Sequence, residues 1–235
     1  MCTLTYLPTG QGFTFTHNRD ERVDRPSSKD FKVMRQGEYD VYFPQDLEAR
    51  GSWIAFSTEG RAVCLLNGGS RPHQRKASYR HSRGLVVLDN FKFRAQEDFY
   101  RNYNLEDIEP FTLIVKDREG LWKLTHDEGQ TDLIQLNEAE TGIWSSTTLY
   151  TREVRDKRRK WFYSWLEDKP ELSPGNIRRF HKSAGDGDEE NDLIMSRWGL
   201  LKTVSITQIH TTENRVSLHY EDFMQNSVDS LSFTP

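Results

Sequence analysis

The chain has 235 residues, 29% of them charged, with 32 basic side chains against 36 acidic ones for a formal charge of -4. That balance leaves no general basic footprint for a phosphate backbone, which excludes nucleic acid as a default partner. No run approaches the roughly 18 apolar residues of a spanning helix, and no basic region precedes an apolar run at the N-terminus, so the expectation is a cytoplasmic protein without membrane span or signal peptide.

Cys2 and Cys64 are too few for a disulfide framework, and a cytosolic setting keeps both reduced. Without Cys-x-x-Cys or His-Glu-x-x-His spacing, neither a metal nor another cofactor is expected. The length suits one domain over residues 1–235, undivided by any linker rich in glycine, serine or proline.

In chain order the first element is a hairpin. Cys2, Leu4 and Tyr6 alternate with Thr3, Thr5 and Leu7, a turn follows at Pro8-Thr9-Gly10-Gln11-Gly12, and alternation resumes from Phe13 to His17. The return brings Cys2 towards Asn18-Arg19-Asp20-Glu21. Methionine ahead of a small residue is normally trimmed, so the mature chain is expected to open with a cysteine carrying both a thiol and a free α-amine. A thiol pKa of about 8.5 and an α-amine pKa of about 7.7–8.0 are close enough for the amine to accept the thiol proton. His17, Arg19 and Arg22 add positive charge that favours a thiolate, and Asp20 is the candidate to orient the ammonium. The same residues also read as a small hydrophobe at a strand start beside a solvated charge run.

A polar connection then reaches Tyr39-Asp40-Val41-Tyr42-Phe43-Pro44, which reads as a surface loop with a short edge strand or as a cover over a pocket. Residues 51–56 and 61–67 form a second hairpin through Thr58-Glu59-Gly60, apolar on both faces as in a buried sheet. Cys64, mid-strand, is packed core. Asn67-Gly68-Gly69 has two readings. It is a turn that uses left-handed backbone, or an amide beside closely approaching backbone that stabilises an oxyanion.

Ser70 to Arg83 carries Arg71, Arg75, Lys76, Arg80 and Arg83, with His73 and His81, and no acid; it is a solvated loop or a site for an anionic substrate group. A helix is expected from Arg83 through Phe91 to Tyr103, then strands at 111–115 and 120–125. Thr141 to Ser146 leads into an amphipathic helix from Thr151 to Glu167, where Val154, Trp161, Phe162 and Trp165 line one face in core spacing rather than as a base-stacking platform. Ser173 caps a short helix that has Pro174 at its first position. The acidic run 185–192 lacks the glycine and terminal glutamate of a calcium loop. Residues 204–210 and 215–220 form the last hairpin.

Four blocks carry a family resemblance: the opening Met-Cys, HNRDERVDRP at 17–26, GSWIAFSTEGRAVCLLNGG at 51–69 and RGLVVLDNF at 83–91. Together they resemble the NRDE family, whose eukaryotic members are the transport and Golgi organisation proteins, over most of the chain and more weakly after residue 140. That family in turn is similar to N-terminal nucleophile hydrolases of the penicillin V acylase and bile-salt hydrolase type. The resemblance implies an α+β fold, a four-layer α-β-β-α sandwich of two antiparallel sheets, and a terminal cysteine that attacks an amide. It implies catalytic roles for Cys2, Asp20, Arg19 and Asn67, with Asn18, His17, Ser146 and Trp53 around the substrate, a small acylated molecule cleaved at a non-peptide C–N bond.

Two positions depart from the pattern. Ser145-Ser146 stands where relatives carry Ser-Asn, and a lost oxyanion donor is worth about 2.7–4 kcal/mol of barrier stabilisation. His17 stands where the hydrolases have arginine. The resemblance also implies a function of another class, a non-catalytic carrier or binder of haem or acyl lipid in intracellular trafficking, and a purely structural protein is a third possibility.

Overall fold

A computed structural model describes residues 2–234. The elements in order are β1 (Cys2–Thr9), β2 (Gly12–Arg22), β3 (Lys32–Gln36), β4 (Tyr39–Phe43), β5 (Ile54–Ser57) and β6 (Ala62–Asn67), then α1 (Arg83–Asp89) and α2 (Gln96–Asn102). There follow β7 (Phe111–Asp117), β8 (Gly120–Asp127), β9 (Gln130–Leu136), β10 (Gly142–Ser145), α3 (Arg152–Glu167), α4 (Pro174–Ser183), β11 (Ser196–Arg197), β12 (Leu201–Thr212), β13 (Arg215–Asp222) and β14 (Ser227–Phe233). The fold is α+β with two antiparallel sheets. The chain divides into two units, one built from residues up to Arg25 with Glu140–Thr234, the other from Pro26–Ala139.

The first unit holds the sheet β10-β1-β2-β12-β13-β14, with β11 paired to β12. Its founding hairpin forms as the alternation predicts, β1 and β2 meeting through Thr9↔Gly12 around a two-residue turn. Gly12 is required there, since a Cβ would lie 2.0 Å from the Thr211 carbonyl oxygen. The segment 142–145, expected to lead into a helix, is instead the strand β10, paired with β1 through Thr3↔Ser145 and Leu4↔Trp144. Four residues are too few for periodicity to reveal, and it is the open edge of β1 that makes them a strand.

Helices α3 and α4 cover one face of this sheet. Thr151 caps α3 by accepting from the Val154 N–H, and Ser173 caps α4 ahead of Pro174 as the sequence predicts. Their apolar faces gather Phe162, Ile177 and Phe180 with Leu7, Ile143 and Leu193.

The second unit is a meander in which neighbours in sequence are neighbours in space, β3 through β9. Strand β4 lies between β3 and β5, so the edge expected at Tyr39–Phe43 is taken by β3. Val41, Phe43, Val63, Leu65, Phe111, Leu113 and Val115 join Val86, Phe91 and Phe99 in one buried apolar cluster. The single helix expected over 83–103 is broken into α1, a 3-10 turn at Asn90–Lys92, and α2. A distant side chain causes the break. Arg61 donates to the carbonyls of Asn90 and Phe93 at 3.3 and 2.7 Å and to that of Arg94, while the Asn90 and Gln96 amides pair reciprocally at 3.1 Å. The Asn90 carbonyl also accepts from the Phe93 N–H at 3.2 Å, which closes the 3-10 turn, and the Arg61 guanidinium holds the carbonyls that follow where α1 has ended. Among the described residues no helix is long and apolar enough to cross a membrane.

Candidate active site

Strand parity decides which residues can act together. Side chains two apart share a face, and the β1–β2 register pairs Cys2 with Arg19, Leu4 with His17 and Tyr6 with Phe15. Those six lie on one face. Thr3, Thr5, Thr16, Asn18 and Asp20 lie on the other, under α3 and α4, and their contacts confirm it: Thr3 accepts from Arg158, and Thr5 meets His181 at 2.8 Å.

Cys2 is 3% exposed. Burial pushes its thiol pKa up and the Asp20 charge adds to the rise, while the Arg19 charge opposes it. Arg19 is itself buried and sits between Cys2 on β1 and Ser205 on β12. The Cys2 carbonyl accepts from the Ser146 N–H at 2.9 Å, which ties the first residue of β1 to the segment just past β10. The Ser146 hydroxyl lies 3.0 Å from that of Thr148.

Asp20 is fully buried, one residue beyond the partner of Cys2 and thus at the strand end where β1 begins. Its two oxygens take different donors. The Tyr150 hydroxyl gives Oδ2 a 2.6 Å bond and the Thr203 hydroxyl gives Oδ1 a 2.7 Å bond. Burial raises the Asp20 pKa, and the Arg158 charge with these two bonds counters part of the rise. Burial beside that carboxylate also holds the Tyr150 hydroxyl well above its ordinary value, so it remains a donor.

Arg158 organises the cluster. It is fully buried, its guanidinium 3.6 Å from the centre of the Tyr150 ring, and it donates to the carbonyls of Asn191 and Asp192 at 3.1 and 2.7 Å.

The family resemblance implies a place for Asn18 beside the substrate; in the structure both ends of its amide are bonded to the scaffold. Nδ2 donates to the carbonyls of His181 and Leu193 at 3.1 and 2.8 Å, and Oδ1 faces His181 Nδ1 at 2.7 Å. The network assigns the His181 proton to Nδ1, with Nε2 accepting from the Thr5 hydroxyl. Burial and the nearby Arg158 charge push His181 down to about 3, so the ring is neutral.

Asn67 and Trp53 belong to the second unit. Asn67 ends β6 opposite Phe111, and Trp53 is a buried residue just ahead of β5. The turn after Asn67 is firmly held. Gly68 has φ +90, its N–H donates to the Pro110 carbonyl at 2.9 Å, and its own carbonyl accepts from the Thr112 hydroxyl at 3.0 Å.

The basic segment 70–83 is not left uncompensated. Glu109 lies 3.1 Å from Arg83, 3.4 Å from His73 and 3.9 Å from Arg75, and Lys76 lies 3.5 Å from both Asp107 and Glu128. The balancing acids come from later segments, where a local reading of the charges does not look.

Tyr150, Thr203, Arg158 and His181 escaped the sequence reading. Arg158 alone left a trace, since it falls four residues from both Val154 and Phe162 and therefore on the inward stripe of α3.

Solved structures of an amidase and of a bile acid hydrolase share this fold. An N-acylethanolamine-hydrolyzing acid amidase ortholog from Caenorhabditis elegans aligns with TM-score 0.59 at 10% identity, covering 89% of this chain and 92% of that one. A mutant of the conjugated bile acid hydrolase from Clostridium perfringens aligns with TM-score 0.57 at 11% identity over 98% of this chain and 92% of that one. A second variant of the same bile acid hydrolase aligns with TM-score 0.55 at 11% identity over the same shares. At such identities the likeness shows the fold. No curated protein matches the chain in sequence. The family model for Transport and Golgi organisation 2 matches residues 1–223, and the chain belongs to that family.

Proposed function

We propose that the chain, acting as one cytoplasmic domain, is a cysteine N-terminal nucleophile amidohydrolase that cleaves a non-peptide C–N bond of a small acylated substrate. The observation that carries this reading is the β1–β2 register, which sets Cys2 opposite Arg19 with the buried carboxylate of Asp20 at the same strand end. Removal of Met1 would leave the α-amine on Cys2. In the proposed reaction that amine takes the thiol proton and the sulfur attacks the substrate carbonyl. The protonated amine then passes the proton to the leaving nitrogen, and water hydrolyses the thioester. Arg19 supports the thiolate, Asp20 orients the ammonium, and the Ser146 hydroxyl polarises the carbonyl. His17 lines the substrate in this reading, and the roles of Asn67 and Trp53 are those the family resemblance implies.

Intact mass of the purified protein after exposure to an N-acyl chromogenic amine tests it. The expected result is a chain lacking Met1 that gains one acyl group, with burst release of the amine abolished in Cys2→Ala. A retained methionine, or release unchanged in Cys2→Ala, rejects the reading.

The burial of Cys2 favours a second reading, a non-catalytic carrier of haem or acyl lipid. The residue is 3% exposed and burial raises the thiol pKa, neither of which helps a nucleophile. Saturable haem or acyl-CoA binding that survives Cys2→Ala would support the carrier.

A further inference from the structure

An arginine stands three residues ahead of a hydroxyl side chain at only two places in the chain, Arg25 before Ser28 and Arg75 before Ser78. Folding separates the two. Ser28 is 4% exposed, its hydroxyl accepts from the Gln45 N–H at 2.9 Å, and its own N–H donates to the Gln45 carbonyl at 2.8 Å. Ser78 lies between β6 and α1, where residues 68–82 form neither helix nor strand and residues 74–78 are all exposed.

Around Ser78 the order is Arg75, Lys76, Ala77, Ser78, Tyr79. Two cations therefore come three and two positions ahead of the hydroxyl, a small residue precedes it and an aromatic follows. The contacts of those cations are open ones. Arg75 has 79% of its side chain exposed and lies 3.9 Å from Glu109. Lys76, 48% exposed, lies 3.5 Å from both Asp107 and Glu128, which are themselves half exposed, and its N–H donates to the Tyr79 hydroxyl at 3.0 Å. Ion pairs this open contribute little and exchange readily, so both cations can leave these carboxylates for others. No strand ladder has to break for the backbone around Ser78 to extend.

We propose that Ser78 is a phosphorylation site for a basophilic protein serine kinase. In such an enzyme acidic side chains meet the cations upstream of the acceptor, so the charge pattern and the accessibility of the hydroxyl select the substrate. The Ser78 Oγ attacks the γ-phosphorus of ATP and its proton passes to the kinase's catalytic aspartate. The bond from the γ-phosphorus to the bridging oxygen breaks, and ADP leaves. The product adds about −1.5 to −2 charge at neutral pH within three residues of Arg75, Lys76 and Arg80. There it competes with Glu109 for Arg75 and with Asp107 and Glu128 for Lys76, the pairs that tie this stretch to later segments. The site goes beyond the amidohydrolase reading and stands whether or not Cys2 is a nucleophile.

Incubation of the folded full chain with ATP and the catalytic subunit of cyclic-AMP-dependent kinase tests it, read by intact mass and peptide mapping. The expected result is one phosphoryl group per chain, on Ser78, and none in Ser78→Ala. Arg75→Ala should lower kcat/KM for the modification by about tenfold or more, since it removes the charge three positions ahead of the acceptor. Both variants should melt with the parent, because the two positions are exposed. The proposal is overturned if the folded chain gains no phosphoryl group, if the group maps to Ser28 or elsewhere and survives Ser78→Ala, or if Arg75→Ala is modified as fast as the parent. Modification that begins only once the chain is unfolded overturns it too, because exposure in the folded state is what sets Ser78 apart from Ser28.

Discussion

The helix-covered faces of the two sheets are built on opposite principles. In the second unit that face is apolar, Val41, Val63, Leu65, Phe111 and Leu113 packing with residues of α1 and α2. In the first it presents Thr3, Thr5, Thr16, Asn18 and Asp20, satisfied by Arg158, His181, Tyr150, Thr203 and Gln208. An apolar face stabilises and tolerates repacking, whereas a buried polar face adds little net stability and specifies one geometry. The polar face is the one that lies behind Cys2. The difference indicates that the second unit supplies stability and that the first is shaped to hold its N-terminal strand in place.

Acid is the strongest way to break the polar face. His181 has its pKa lowered from 6.5 to about 3, so its contribution is whole above pH 6.5 and is lost as pH falls towards 3. That loss is on the order of 5 kcal/mol when complete, measured by urea unfolding across the window. Asp20 has the opposite sign. Its raised pKa gives a contribution that is whole below the ordinary carboxylate range and lost as pH rises through the folded value. Asp20→Asn should therefore steepen the net acid dependence, and His181→Gln should flatten it.

Phe111→Ala in the apolar cluster should destabilise the protein by about 3–5 kcal/mol in chemical denaturation, through lost burial and the cavity left behind. Tyr150→Phe removes one of the two hydroxyl donors to Asp20 and should cost about 1–3 kcal/mol. Unlike the cavity variant, it should raise the Asp20 pKa further, which NMR titration of the carboxyl reads directly. Ser173→Ala removes the α4 cap, a local change that should cost about 1 kcal/mol by the same denaturation assay.

Legibility followed sequence distance. The hairpin of β1 and β2, the cap at Ser173 and the apolar stripe of α3 rest on local signals, period-two alternation and a capping residue, and all three form as expected. The break at Asn90 did not show locally because the group that causes it, Arg61, lies 29 residues earlier. In the same way, the positive run at 70–83 was complete in the sequence while its acids lay elsewhere.

The residues themselves determined that Cys2 opens a strand and that a hairpin turning within 8–12 returns the chain towards Asn18-Arg19-Asp20-Glu21, since alternation resumes at Phe13; the register that sets Arg19 against Cys2 and turns Asn18 and Asp20 to the other face was settled by the folded strands. Tertiary structure alone decided what those inward groups meet. Tyr150 and Thr203 reach Asp20 across sequence separations of 130 and 183 residues, and His181 reaches Asn18 across 163. Hydrogen bonds form between groups that folding brings together, and no local pattern of residue types encodes a partner so remote in the chain.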